Sequence, residues 1–569
     1  MSLDCLKRGV SLTGDTSKAH ICLAGHRCSH RPVSDRRRVH ATASQRCDKN
    51  DELHCSSSSN EQDVSISRRR ALGALTSTLT LVSMPASAED RAAGAMELEK
   101  RLEERVTEFE LSNGLHFIVM ERHNAPIVSV HTYANVGAFD ERDGQTGIAH
   151  LLEHMAFKGS QRIGARDYKK EAVLLDEVDD AFYAFWDAHK QAAPSAGRLY
   201  QQLQQLVTQA GELVEPNAFG AMLQRSGAVG LNATTSHDAT KYFMSLPANM
   251  LELWFALEAE RFQAPVFREL YSEKRVVAEE RRSRIDNSPM GRFQEAFLGT
   301  AAANNYRRPI IGYEGDVAGL GRREVEAFFR ERYGPRNLAI AIVGDTTPEK
   351  VRAMAEKYFG HWRQAAIPAL PPSASEALAQ PPAGAARQLE SSARGGPALM
   401  QAFYRPGIAS SDAPILEVIG DILSGPRTAR FSRALLQEGR AFGANMVPAY
   451  PGDKHACMSL IYAIPATGVS LAQMEGLVRQ QLDSLAESGP NPAEMERIKK
   501  ASKVELVDAL RRNAGMAAAL ASYHTLTGSW RTILQESAQI ETLKAPDVRD
   551  VAARTFTPGN AFTGYVQKA

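Results

Sequence analysis

The period of apolar and polar positions changes several times along this chain. In VTEFELSNGLHFIVMERH the two classes alternate on both sides of Ser112-Asn113-Gly114, which predicts a hairpin whose turn needs a positive φ. APIVSVHTYANVGAF predicts a further strand, mostly buried. After Thr146-Gly147 the period lengthens, with Ile148, Leu151, Leu152 and Met155 at helical spacing. From about Asp167 to Gly211 the pattern is helical and broken at Pro194, which predicts a helical hairpin. GLNATTSHDATKYFMSLP predicts β-structure, while MLELWFALEAERF and YSEKRVVAEERRSRI predict helices. NLAIAIVGD predicts a buried strand, and TPEKVRAMAEKYFGHW a helix with Pro348 in its first turn.

A stretch rich in Pro and Ala, residues 365–386, then interrupts the pattern and predicts a linker. Beyond it, ALMQAFYRPG (strand), APILEVIGDILSG (helix), MSLIYAIPA (strand) and SLAQMEGLVRQQLDSLAESG (helix) repeat the alternation of the first half. The architecture expected is α+β, two halves (89–364 and 387–569) joined by the linker. A chain of 569 residues is too long for one ordinary core, which agrees with more than one domain.

A hydrophobic fraction of 43% suits a globular protein, and a net charge of +1 supplies no field to gather nucleic acid or an anionic membrane. No apolar run is long enough for a stable membrane span. Five cysteines (Cys5, Cys22, Cys28, Cys47, Cys55) crowd the N-terminus, leaving Cys457 alone beyond them as a buried or incidental thiol. Residues 1–88 read as a bipartite targeting presequence. Its first part is rich in Ser, Thr, Ala and Arg and short of acids. Its second part sets Arg68, Arg69 and Arg70 before a short apolar segment ending in Ala86-Ser87-Ala88. The tandem resembles the presequence of a thylakoid-lumen protein and predicts a mature chain starting near Glu89 in a chloroplast, in the thylakoid lumen. Another organelle, or a secreted or periplasmic compartment, is the alternative.

His150 and His154 lie four residues apart in HLLEH, so on a helix both imidazoles leave one face about one turn apart. That spacing lets them hold one tetrahedral ion, with Glu153 placed to act as general base on an activated water. Spacing alone also permits a helix with two hydrogen-bonded histidines, but the apolar neighbours Leu151, Leu152 and Met155 argue for burial, where histidines need polar partners. Glu273 and Glu280, seven apart, share one face of a later helix, with Val276 and Val277 on its buried side and Glu279 pointing elsewhere. Taken alone, that acidic face reads first as a solvated one.

TGIAHLLEHMAFKGS, followed by GLNATTSHDATKY and EKRVVAEERRSRIDN, resembles the M16 (pitrilysin-like, inverzincin) zinc metallopeptidases. The likeness runs through RYGPRNLAIAIVGD and covers nearly all of Arg105 to Ala569. It implies a clamshell of two homologous halves, a Zn2+ cofactor and unstructured peptides as substrates. It implies His150, His154 and Glu280 as metal ligands, Glu153 as general base and Glu273 as the catalytic set's supporting glutamate. Asn232, Ala233 and Thr234 align with an edge strand on which substrate is laid by β-augmentation.

Two departures stand out. The helical hairpin lengthens the path from His154 to Glu280, as an insertion would. In addition, self-sufficient members carry in their second half an arginine and, seven residues on, a tyrosine, where this chain has Leu435 and Phe442. The departure implies a heterodimer with a second M16-like chain that supplies the Arg/Tyr pair; Arg433 or Arg440 filling the role is the alternative. Other readings within the fold are a structural or assembly subunit and a metal-binding adaptor that presents peptides uncut.

Overall fold

The computed structural model describes residues 102–363, 388–393 and 396–568, all within one compact unit, Asn60–Ala569. The expected presequence and linker lie outside the described residues.

The first sheet has six strands: β1 (Val106–Glu110), β2 (His116–Glu121), β3 (Ile127–Ala134), β4 (Val229–Thr235), β5 (Thr240–Pro247) and β6 (Leu338–Gly344). Their spatial order is β1-β2-β6-β3-β5-β4, and only β2 and β6 run parallel. Gly114, at φ +91°, turns β1 into β2 as the Ser-Asn-Gly signal predicts. β4 closes one edge, paired with β5 alone among the described strands. Seven helices of this half matter below: α1 (Ile148–Met155), α2 (Tyr168–Lys190), α3 (Ala196–Glu212), α4 (Leu251–Gln263), α5 (Leu270–Arg281), α6 (Pro289–Ala301) and α7 (Pro348–Phe359). The α2–α3 pair is the predicted hairpin.

The second sheet has five strands, β7 (Gln388–Ala393), β8 (Ala398–Arg405), β9 (Ala441–Tyr450), β10 (Cys457–Pro465) and β11 (Ala561–Lys568), in the order β7-β11-β8-β10-β9. Helices α8 (Ala413–Leu423), α9 (Leu471–Ser488), α10 (Asn513–Thr527) and α11 (Ala545–Thr555) belong to this half. Cys457 is free and buried at the start of β10, and burial pushes its thiol up to about 12, so it is inert.

Both sheets bury both faces, because successive side chains on a strand point to opposite sides. In β2, Phe117 and Val119 join a core with Leu151 and Leu152 of α1, Phe255 of α4 and Val351 of α7. Ile118 and Met120 face the other way, onto Met516, Ala517 and Leu520 of α10. The second sheet mirrors this. Leu399 and Phe403 of β8 pack with α8, α9 and α11, while Met400 and Ala402 meet Phe293 and Phe297 of α6. Each half thus lends a helix to the other's sheet. None of the described helices is long and apolar enough to cross a membrane.

Leu520→Ala should remove the main α10 contact on the first sheet and cost about 3 kcal/mol of unfolding free energy in a urea titration; a loss well under 1 kcal/mol would show that α10 is not needed there. His131 on β3 supplies a pH test. It is buried, its ring stacked on Phe243 at 5.6 Å, and burial, aided by Lys241, holds its pKa down to about 3. The unfolded chain therefore binds a proton that the folded chain refuses, and this stability term is complete above about pH 6.5 and lost as pH falls toward 3. His131→Gln should flatten the acid limb by up to about 1.4 kcal/mol per pH unit, read from urea titrations between pH 4 and 7.

Candidate metal centre

α1 is short, and its position is fixed from its first residue. Gly147 precedes it at φ +86°, where an added Cβ would lie 2.8 Å from the Ile311 carbonyl oxygen and 2.9 Å from Gly312 Cα. The buried Glu141 carboxylate accepts from the Gly147 and Ala149 N–H groups at 2.9 and 3.0 Å, satisfying donors that the helix leaves free. Burial pushes the Glu141 carboxyl up to about 8, against the pull of those two N–H groups and of Arg308. Ile148, Leu151, Leu152 and Met155 are buried as their spacing predicts, which leaves His150 and His154 directed at α5.

One oxygen of Glu280 then organises the site. His150 Nε2 and His154 Nε2 each lie 3.7 Å from Glu280 Oε2, and the two rings stand 4.8 Å apart at 82°. At 3.7 Å these are not hydrogen bonds. Ligand atoms around a tetrahedral zinc with bonds of about 2.0–2.1 Å are separated by about 3.4 Å, so the spacing suits a shared ion. The three ligand atoms all fall within 4.8 Å of one another. Two imidazole nitrogens and a carboxylate are a donor set that zinc accepts.

The outer contacts aim these ligands. Glu273 Oε2 lies 3.2 Å from His154 Nδ1, which donates to it and so leaves Nε2 as the free lone pair facing Glu280. Lys158 Nζ, in the turn after α1, lies 2.7 Å from Glu273 Oε1 and 3.0 Å from Glu269. Arg284 contacts Glu280 Oε1, so the other oxygen is the one presented to the histidines. Glu153 stands beside this group and takes a hydrogen bond from Thr235 Oγ1 at the end of β4 (2.5 Å).

The charges follow the same geometry. Burial and the nearby Glu280 raise the Glu153 pKa despite the Thr235 bond and His154. Burial would raise Glu273, but its bonds to His154 and Lys158 prevail and hold it low. For His154 burial is outweighed by Glu273, Glu280 and Glu153, which raise it, whereas burial, His154 and Arg284 press His150 down to about 3.

The structure therefore brings together His150, Glu153, His154, Glu273 and Glu280. Val277 is buried on the α5 face between the two glutamates, but Val276 is 50% exposed on its flank, contrary to expectation. Glu279 points outward and pairs with Arg282. On β4, Ala233 packs into the core while Asn232 and Thr234 are exposed, and the outer main-chain edge of the strand has no partner strand among the described residues. Leu435 is fully buried in the second half's core, and Phe442 is 71% exposed at the start of β9. Arg433 and Arg440 are exposed. The pattern reading did not single out Glu141, Lys158, Thr235 or Arg284. For Thr235 a signal existed, since period-two alternation puts it on the Ala233 face, toward Glu153.

Comparisons with known proteins bear on the family and the fold. The family model described as "Insulinase (Peptidase family M16)" matches residues 117–182 and 205–313, skipping a stretch within the α2–α3 hairpin. A second model, "Peptidase M16 inactive domain", matches residues 319–502. The zinc protease PqqE of Helicobacter pylori is 24% identical over 474 residues, 80% of this chain and 91% of that protein. A crystal structure of a protease from Helicobacter pylori superposes with a TM-score of 0.66 at 21% identity, covering 81% of this chain and 99% of that one. The periplasmic protease PqqL from Escherichia coli gives 0.58 at 18% identity, covering 82% of this chain but 48% of that one.

Glu141→Ala should leave two buried N–H groups at the start of α1 unpaired and cost about 2 kcal/mol in a urea titration. An unchanged midpoint would show that α1 is held by packing alone.

Proposed function

We propose that this chain, which belongs to the M16 family of peptidases, is a zinc-dependent endopeptidase acting on unstructured peptides. The observation that carries this reading is the shared 3.7 Å approach of two imidazole Nε2 atoms to one Glu280 oxygen, with Glu153 beside them and held outside the set by Thr235.

In this reading His150, His154 and Glu280 hold the ion, and bound zinc supplies Lewis acidity to a water and to the scissile carbonyl. Glu153 takes the water's proton and delivers it to the leaving amine. Glu273 positions His154 and touches no substrate. The peptide lies extended along β4, its main chain pairing with the free edge at Asn232, Ala233 and Thr234. Main-chain pairing reads little sequence, so selection falls on extended, unfolded chains.

The second half carries neither an arginine at 435 nor a tyrosine at 442. Loss of such an electrostatic stabiliser costs about 3 kcal/mol of transition-state stabilisation. A second M16-like chain supplying the pair would complete the site. The absence of that pair also supports a second reading, a subunit that binds metal without cutting. The presequence pattern supports a mature chain that starts near Glu89 and resides in the thylakoid lumen.

With Glu89–Ala569 and a quenched peptide, assayed with and without a candidate partner chain, Glu153→Gln should keep its zinc and lose activity by about 10²–10⁴-fold. Glu280→Ala should lose zinc and activity together. Bound zinc with no cleavage under either condition would favour the non-cutting reading.

A further inference from the structure

A second group of ligating side chains lies outside the peptidase site, where the halves meet. β1 and β2 pair Glu108 with Ile118 and Glu110 with His116, so Glu108 and His116 are diagonal neighbours on the sheet face that α10 covers. His524 reaches them from α10, its ring stacked on His116 at 3.8 Å and 13°.

Glu108 is oriented from outside, as Glu280 is. Its Oε1 accepts from Trp530 Nε1 at 2.8 Å and Arg531 Nη1 at 2.6 Å. Its Oε2 is thereby left facing His116 Nε2 at 3.3 Å and His524 Nδ1 at 3.9 Å. Both nitrogens are buried, and neither has a hydrogen-bond partner among the described residues. Buried polar atoms without partners are costly, and the Glu108 carboxylate oxygen facing them favours a positive charge between the three. A divalent cation meets both conditions, because it accepts both lone pairs and balances the carboxylate. The three ligand atoms already lie within 4.8 Å of one another.

We propose that Glu108, His116 and His524 form a second zinc site, structural in role, that ties α10 to the β1–β2 hairpin. Nearly parallel rings direct their lone pairs along separate planes, so one ring turns about its Cβ–Cγ bond on loading, a broad and soft torsion. Binding therefore breaks the stack. The ion joins residues on opposite sides of the linker, and its free energy adds to the docking of α10 on the first sheet. The inference does not rest on the peptidase reading.

The test uses the full chain carrying His150→Ala and His154→Ala, so that zinc at the other site is removed. Equilibrium dialysis against zinc followed by elemental analysis should find about one equivalent per chain, and zinc should raise the thermal midpoint. Adding His524→Asn, or separately Glu108→Gln, which keeps an acceptor for Trp530, should abolish both effects while the midpoint in chelator stays near that of the parent. No zinc taken up by the parent, or uptake unchanged by both added substitutions, would overturn the proposal.

Discussion

Each of the two sheets is apolar on both faces, and each takes the cover for its second face from the other half of the chain. Phe293 and Phe297 of α6 lie on the second sheet, and Leu520 of α10 lies on the first. Burial on this scale dominates folding free energy, so neither half can be withdrawn without exposing a hydrophobic face of the other. The exchange also explains why NLAIAIVGD and ALMQAFYRPG read as nearly unbroken apolar runs: both strands, β6 and β8, are buried along their whole length.

On that rigid base the candidate centre is assembled from three elements. α1 brings His150, Glu153 and His154, α5 brings Glu273 and Glu280, and the end of β4 brings Thr235. Three of the four side chains that would touch an ion or a proton are held by a second group, His154 by Glu273, Glu280 by Arg284 and Glu153 by Thr235, while His150 Nδ1 is buried without a hydrogen-bond partner among the described residues. Such support is what keeps a site within the tolerance its chemistry needs. The Gly147 approach and the Glu141 cap extend it to the backbone of α1.

Local features of this arrangement were legible in the sequence. The β1–β2 hairpin follows from Ser-Asn-Gly between alternating strands, and the shared face of His150 and His154 from a spacing of four. Glu273 and Glu280 were legible as a pair because seven residues return to one face, but their meeting with α1 came from the family resemblance, since helix periodicity says nothing about which helices touch. Val276 was misread because a position three residues from Glu273 falls on the flank of α5, where burial ends. The exchange of α6 and α10 was not legible. Nor was the Glu108, His116 and His524 cluster, because its members are held together by packing between segments far apart in the chain. Leu435 illustrates a middle case: its apolar character was visible, and its complete burial explains it as core.

The central claim is that two imidazoles and one carboxylate of α1 and α5 converge on a single ion. X-ray absorption at the zinc edge tests it most directly, using zinc-loaded chain carrying His524→Asn so that only the one site is filled. The account predicts a first shell of nitrogen and oxygen at about 2.0–2.1 Å, with the outer-shell scattering of two imidazoles, and loss of one imidazole on His150→Ala. An all-oxygen shell, or a spectrum unchanged by His150→Ala, would contradict it.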